Sequence, residues 1–292
     1  MSADRQREER APLLGHPRVH LRATDSTNAR AKELALAGAP GGTLISADHQ
    51  SAGRGRQGRS WWAPPGSSLL CSLILRTEAA SPLAALRDEQ GLELLPILAA
   101  TALAQVLGPQ AQIKWPNDVL YPRSDGRLGK VAGILIERRS PDRFAVLGIG
   151  VNVCASIEQA PLELRGEIAT LARDQAAIEP LLQALLTALE AQLLAAPERA
   201  LADFRARDAL YGREIAWRTT AGASAPATRG LAQGIDGRGR LLVRSAEGML
   251  ALSSGEVHLC GDGRPAGGQP VLARGAGLGL AQDRAPDQGQ RR

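Results

Sequence analysis

The sequence predicts an α+β fold in two successive domains, over residues 21–210 and 211–260. Three observations carry that reading. Stretches with a helical apolar period alternate with short β-like runs as far as residue 153. A Leu- and Ala-rich helical stretch fills 178–210, and after Tyr211 and Gly212 the text breaks into short β-like pieces separated by glycine turns. Of the 292 residues, 44% are apolar and 22% charged, the composition of a globular protein with enough chain to bury a core.

Residues 1–20 are charged, contain proline and show no period, so they read as a disordered leader too short for a helix-turn-helix. Asp25, Ser26 or Thr27 caps a helix whose apolar face is Ala29, Ala31, Leu34, Ala35 and Leu36, and Gly38 and Pro40 end it. Strands are expected over 43–47 and 69–75, a second helix over 90–107, and further strands over 112–115, 131–137 and 144–153. One or two helices follow over 178–210. Four pieces, 214–217, 229–236, 241–244 and 256–259, then point to a small β-barrel. From Gly261 onward Gly, Pro, Ala, Gln and Arg dominate without a period, so 261–292 is expected to be a disordered tail.

No signal-like start and no run of about 18 apolar residues occurs, so the expected location is the cytoplasm, without membrane attachment. Cys71, Cys154 and Cys260 are odd in number and lack CxxC or CxxH spacing; they read as reduced thiols rather than a zinc or disulfide framework. A net charge of +5 decides little, because the basic residues are spread along the chain and into ends that look unstructured. The kind of base says more. Of 35 Lys+Arg only Lys32, Lys114 and Lys130 are lysines, and in so Arg-biased a chain lysine should persist where a compact ammonium does what a planar guanidinium cannot.

Residues 53–60, Gly-Arg-Gly-Arg-Gln-Gly-Arg-Ser, match GxGxxG and, with Arg for Lys, the phosphate loop GxxxxGK[ST]. Both patterns need a helix to start at the loop so that its amides face phosphate. Trp61, Trp62, Ala63, Pro64, Pro65 and Gly66 cannot continue one, so both matches are set aside. An RGG-type RNA-binding segment is set aside as well, since the text occurs once between folded-looking stretches. Arg54, Arg56 and Arg59 on a glycine hinge, followed by an indole pair, suit a lid over an anionic ligand with an apolar wall beside it. A solvated surface loop is the other reading of the same residues.

In the run from Ile113 to Leu120, Pro116 fixes a turn that holds Asn117 and Asp118 beside Lys114. An Asx-turn with Asp118 capping backbone amides accounts for those residues equally. Lys130 then opens an apolar strand between glycines, where an ammonium can meet a ligand carboxylate or phosphate, or simply snorkel from the strand end to water.

Together these pieces closely resemble the bacterial biotin protein ligases. The resemblance rests on Asp25-Ser26-Thr27-Asn28, on residues 50–61, on Lys114-Trp115-Pro116-Asn117-Asp118, on residues 130–137 and on Gly148-Ile149-Gly150-Val151-Asn152-Val153. These stand in the family's order and cover 21–153; Gly234-Ile235-Asp236 and Ser254-Gly255-Glu256-Val257 extend the match to residue 260. It implies a mixed-sheet catalytic domain of the biotin/lipoate ligase type, followed by an SH3-like barrel. It also implies the reaction: biotin is activated by ATP, taken as its Mg²⁺ complex, to biotinyl-5'-AMP, and then passed to one lysine of a biotin carboxyl carrier protein domain of acetyl-CoA carboxylase or a related carboxylase.

By similarity Ser26, Thr27 and Asn28 lie at the biotin end, Gln50 bonds the ureido ring, and Arg54, Gly55 and Arg56 belong to the lid over biotin and the adenylate. Arg59, Trp61 and Asn152 fall near ATP. Lys130 contacts the biotin carboxylate and the α-phosphate, while Lys114, Asn117 and Asp118 complete a charged floor; Lys130, Asp118, Lys114 and Arg56 make up the implied catalytic set. No resident metal site is implied. Family members that repress transcription carry an N-terminal winged helix, for which the text before residue 21 is too short, so neither repression nor a specific nucleic-acid partner is expected. The oligomeric state, a homodimer included, is left open. The alternative from a different class is a basic module whose glycine-arginine loop contacts nucleic acid without catalysis.

Overall fold

The computed structural model describes residues 11–77, 81–139, 143–218 and 227–260; the expected tail and residues 1–10 of the expected leader lie outside the described residues. Seven strands form one mixed sheet: β1 (Arg18–Leu21), β2 (Leu44–Ala47), β3 (Ser68–Arg76), β4 (Gln112–Lys114), β5 (Asp118–Pro122), β6 (Leu128–Arg139) and β7 (Phe144–Asn152). Their order is β1-β2-β3-β7-β6-β5-β4, with β1 parallel to β2 and every other pair antiparallel. Helix α1 (Thr27–Leu36) covers part of one face, and α2 (Glu89–Leu107) and α4 (Ile178–Leu194) cover the other, with α5 (Pro197–Ala206) packed on α2; α3 (Leu162–Arg165) is a single turn after β7.

The side-chain period of two explains how the sheet separates its faces. On β7, Ala145, Leu147, Ile149 and Val151 enter the large core under α2 and α4, whereas Phe144 and Val146 pack with Ala31, Ala35, Ile45 and Ile74 under α1. On β3, Leu69, Cys71, Leu73 and Leu75 enter the large core. Asp88 caps α2 by accepting from Gly91 N at 2.8 Å. Pro96 stands inside α2, where a proline removes one ladder bond and costs about 3 kcal/mol. By length and composition α2 could cross a bilayer, but residues from Gly91 to Leu107 are largely buried against the sheet.

Two strands of this sheet appear where the sequence suggested none. The stretch read as a leader through residue 20 ends in β1, and Leu14 before it is buried, with the backbone N–H groups of Leu13 and Leu14 donating to Glu190 Oε2 at 2.8 and 3.2 Å. Being a four-residue edge strand with mostly exposed side chains, β1 carries no apolar alternation to detect. Likewise β5 occupies the run read as a turn after Pro116, and its pairing to β4 makes Lys114 and Asp118 cross-strand neighbours.

The second domain comprises β8 (Glu214–Arg218), β9 (Thr228–Ile235), β10 (Leu241–Ser245), β11 (Gly248–Leu252) and β12 (Glu256–Leu259), an antiparallel sheet in the order β11-β10-β9-β8-β12. Strand β11 went unread between two glycine turns. Among the described residues no pairing joins β12 to β11, so the expected closed barrel is here an open five-stranded sheet. It is pinned to the first domain by Trp115, whose buried indole Nε1 donates to Gly239 O at 2.9 Å, and by Arg238 with Glu93 of α2 at 3.0 Å. Trp115, in the middle of the most motif-like run, is therefore a docking residue.

Candidate active site

Beyond Phe144 and Val146, the α1 face of β7 continues as Gly148 and Gly150, and β6 sets Gly133 opposite Gly150. A Cβ on Gly150 would stand 2.6 Å from the Trp61 indole, one on Gly133 2.9 Å from the same ring, and one on Gly148 would collide with the Asn28 carboxamide. The glycines thus floor a cleft. Its lining includes Ser26, Thr27, Asn28, Gln50, Arg54, Gly55, Arg56, Trp61, Asn117 and Lys130.

One end of the cleft is a polar network at the start of α1. Asp25 Oδ1 accepts from Ser26 N at 2.7 Å and from Thr24 Oγ1; with Arg30 also near, its carboxyl is lowered to about 2. Ser26 sits at the N-cap position but its side chain makes no capping bond, which leaves a buried hydroxyl for a ligand. Gln50 Oε1 accepts from Thr27 N at 2.7 Å and Thr27 Oγ1 at 3.0 Å, so the Gln50 amide nitrogen is the end turned to other partners. Ser72 Oγ lies 2.8 Å from Thr27 Oγ1 and 2.6 Å from Asn28 Oδ1, and its one proton serves one of them at a time. Asn28 Nδ2 donates to Glu137 Oε2 at 2.9 Å, and Lys32 Nζ stands 3.3 Å from Glu137 Oε1.

Residues 53–61 form a hairpin. Trp61 N donates to Gly53 O at 2.9 Å and Gly55 N to Arg59 O at 2.7 Å, around a turn in which Gln57 and Gly58 have φ of 57° and 75°. No helix follows, in keeping with the rejection of both phosphate-loop patterns. Arg56 folds inward and its Nη1 donates to Asn117 Oδ1 at 2.7 Å; burial lowers its pKa, opposed by Asp118. Arg54 lines the cleft but is exposed. Arg59 turns away and pairs with Glu256 of β12, which also lies 3.0 Å from His258 Nε2.

The charged side is built by a β-bulge. Val119 pairs with Ala132 but Leu120 pairs with Lys130, so Val131 is the extra residue, and both Val131 and Ala132 point into the core. That shift breaks the alternation and turns Lys130 toward the cleft. Its Nζ lies 2.7 Å from Asp118 Oδ1 and 5.5 Å from the Trp61 ring centroid. Asn117 Nδ2 holds the same Asp118 oxygen at 3.2 Å. Lys114 stands behind this pair. Burial pushes it below the usual lysine range, Lys130 and Arg59 add to that, and Asp118 and Glu167 oppose it.

Ten of the sequence-singled residues therefore gather around one cleft, and Asp118 touches it through Lys130. Lys114, Arg59 and Asn152 do not line it. Asn152 is buried and donates from Nδ2 to Ala169 O at 3.0 Å, while its Oδ1 has no partner among the described residues. Sequence reasoning missed Ser72, Glu137 and the contacts of Gly133, Gly148 and Gly150. Glycines recurring every second residue inside an apolar strand signal close approach of another group, and that signal was present.

A model of the biotin/lipoate A/B protein ligase family matches residues 21–153, and one of the biotin protein ligase C-terminal domain matches residues 218–259. The biotin–[acetyl-CoA-carboxylase] ligase of Mycobacterium tuberculosis is 36% identical over 249 residues, covering 81% of this chain and 86% of that protein. The bifunctional ligase/repressor BirA of Bacillus subtilis is 33% identical over 259 residues, covering 85% of this chain and 75% of its own. Among solved structures, the biotin protein ligase from Aquifex aeolicus in complex with biotin and ATP aligns with a TM-score of 0.66 at 25% identity, over 84% of this chain and 98% of that one.

Proposed function

The chain belongs to the biotin protein ligase family, and from that premise we propose that its cleft joins biotin to ATP as biotinyl-5'-AMP and then passes the biotinyl group to one lysine of a biotin carboxyl carrier domain. The observation that carries this reading is Lys130, turned by a bulge into a glycine-floored cleft beneath an arginine lid and held 2.7 Å from Asp118. In the first step a carboxylate oxygen of biotin attacks the α-phosphorus of ATP and pyrophosphate leaves. Two anions must approach each other. Lys130, assisted by Lys114, supplies fixed positive charge where the phosphorane charge develops, which is positioning and electrostatics rather than covalent catalysis, and Arg56 from the lid holds the adenylate once it has formed. Mg²⁺ arrives on the phosphates of ATP as part of the substrate.

At the other end, Ser26, Thr27 and Asn28 hold the biotin head, and the Gln50 amide nitrogen donates to the ureido oxygen, since its Oε1 is already occupied by Thr27. Trp61, with a buried Nε1 lacking a partner among the described residues, closes one wall toward ATP. Arg59 joins the nucleotide side on leaving Glu256, and Asn117 and Asn152 complete that side. In the second step the acceptor amine attacks the acyl carbon, the acyl–phosphate bond breaks and AMP leaves with its electron pair. Asp118 orients the amine and takes its proton.

Pyrophosphate release that requires biotin together with ATP tests the reading. Lipoate replacing biotin with equal rates would overturn the substrate assignment. Asp118→Asn should slow transfer more than activation; equal losses in both would remove the proton-acceptor role. We place the protein in the cytoplasm and assign it no repressor role; a band shift on a defined operator that survives about 200 mM salt would refute the latter.

A further inference from the structure

A second cleft opens beside the first, and we propose that it is the channel by which the acceptor lysine reaches the adenylate, with the Arg56–Asn117 hydrogen bond as its gate; this rests on the ligase reading above. Pro96 of α2, Pro116, and Ile134 and Ile136 of β6 form its walls, and Ser253 of the second domain stands at its rim. Arg56, Asn117 and Ile134 line both clefts, so the two spaces meet at the bond from Arg56 Nη1 to Asn117 Oδ1, 2.7 Å long.

The chemistry of the lining selects the occupant. A lysine side chain is a flexible apolar stem ending in one amine. Two prolines and two isoleucines suit the stem, and at the inner end Asn117 offers an amide oxygen while its nitrogen holds Asp118 Oδ1 at 3.2 Å. Among the described residues Arg56 is the one charged side chain in this lining, so they offer a nucleotide phosphate no cluster of cations there. Pro96 interrupts the hydrogen-bond ladder of α2 and lines this wall. Because Ser253 lies in the turn between β11 and β12 of the second domain, a carrier protein delivering its lysine here touches both domains.

The shared bond also orders the two steps. Arg56 spans from the glycine-arginine hairpin to Asn117 and closes the inner end of the channel. An adenylate phosphate in the first cleft draws the guanidinium to itself, because a charge-assisted bond to phosphate outcompetes one to a neutral amide. Asn117 Oδ1 is then released to receive the incoming amine while the lid stays shut against water. The amine nitrogen bonds to the acyl carbon, the acyl–phosphate C–O bond breaks, AMP departs with the electron pair, and the amine proton passes to the Asp118 carboxylate.

Filling the channel without touching the first cleft tests this. Ser253 is exposed, so Ser253→Trp should fold, and Ile136→Trp fills the channel from the sheet side. In the full chain, the pyrophosphate burst with biotin and ATP, and discharge of the adenylate by hydroxylamine, should stay within about twofold of the parent, while transfer to a purified biotin carboxyl carrier domain falls about tenfold or more. Unchanged carrier transfer by a folded Ser253→Trp overturns the channel. A burst that falls in parallel with transfer assigns the cleft to ATP and overturns it too. Should the parent itself give no biotin-dependent burst, the ligase reading falls and takes the channel with it.

Discussion

Along a single strand, the α1 face of the sheet changes character within four residues. Under α1, Phe144 and Val146 are buried with Ile74, Ala31 and Ala35, and Arg76 lies over the Phe144 ring with 5.7 Å to its centroid. Farther along β7, Gly148 and Gly150 present no side chain, and their space is taken by Asn28 and Trp61. One half of the face buries apolar surface, which stabilises; the other half forgoes that burial to hold a ligand. Stability and function are therefore expected to respond to different residues on the same strands.

The largest separation should come from Lys130→Ala on the open half. Removing the ammonium from an encounter of two anions should slow biotin-dependent pyrophosphate release by about 10²–10³-fold. Since Lys130 and Asp118 are partly exposed, the loss of their pair should alter stability by only about 1 kcal/mol or less. Full activity in the folded variant would break the comparison at its strongest point.

Phe144→Ala should do the reverse. Emptying a fully buried aromatic site costs about 3–5 kcal/mol, readable as a lower urea midpoint, whereas adenylate formation by the folded fraction should match the parent. A matching loss of activity per folded molecule would mean that the two halves are coupled.

A smaller effect is expected at the lid. Arg56→Gly removes a charge-assisted hydrogen bond of about 1.5–3 kcal/mol, so the adenylate should leave roughly ten- to a hundredfold faster. Adenylation should persist, and biotin should appear on the lysines of an unrelated protein in an avidin blot. An adenylate that dissociates as slowly as in the parent would assign the latch to Arg54, Arg59 or Trp61 instead.

The smallest effect lies where the halves meet, at the start of α1. Asp25 should titrate at about 2 by NMR, held down by Ser26 N, Thr24 and Arg30. Because its pKa is lowered on folding, its contribution to stability is present above the ordinary carboxylate value and fades as the pH falls through about 2. Asp25→Asn should erase that part of the acid limb. A midpoint near the unperturbed value would mean that the loop is not ordered as described.

Much of the chemistry was legible because it lies in contiguous text. The lid could be separated from a phosphate loop by the prolines after Trp62, and the scarcity of lysine pointed to Lys114 and Lys130, which flank Asp118. The third, Lys32, also proved placed, holding Glu137 and through it Asn28. Short edge strands such as β1 and β11 escaped because a few residues with a single paired neighbour leave no apolar period.

What the sequence determined by itself was local: where helices start and stop, which loop cannot open a helix, and which residue types stand ready for anions. Only the tertiary structure decided which of them meet. The bulge at Val131 turns Lys130 into the cleft, Arg59 goes to Glu256 from a strand 197 residues away, and Arg56 reaches Asn117 across 61 residues to divide two clefts. The physical reason is register. A strand's alternation assigns each side chain to one face, and one extra residue, imposed by pairing with a distant partner, reverses that assignment for everything beyond it.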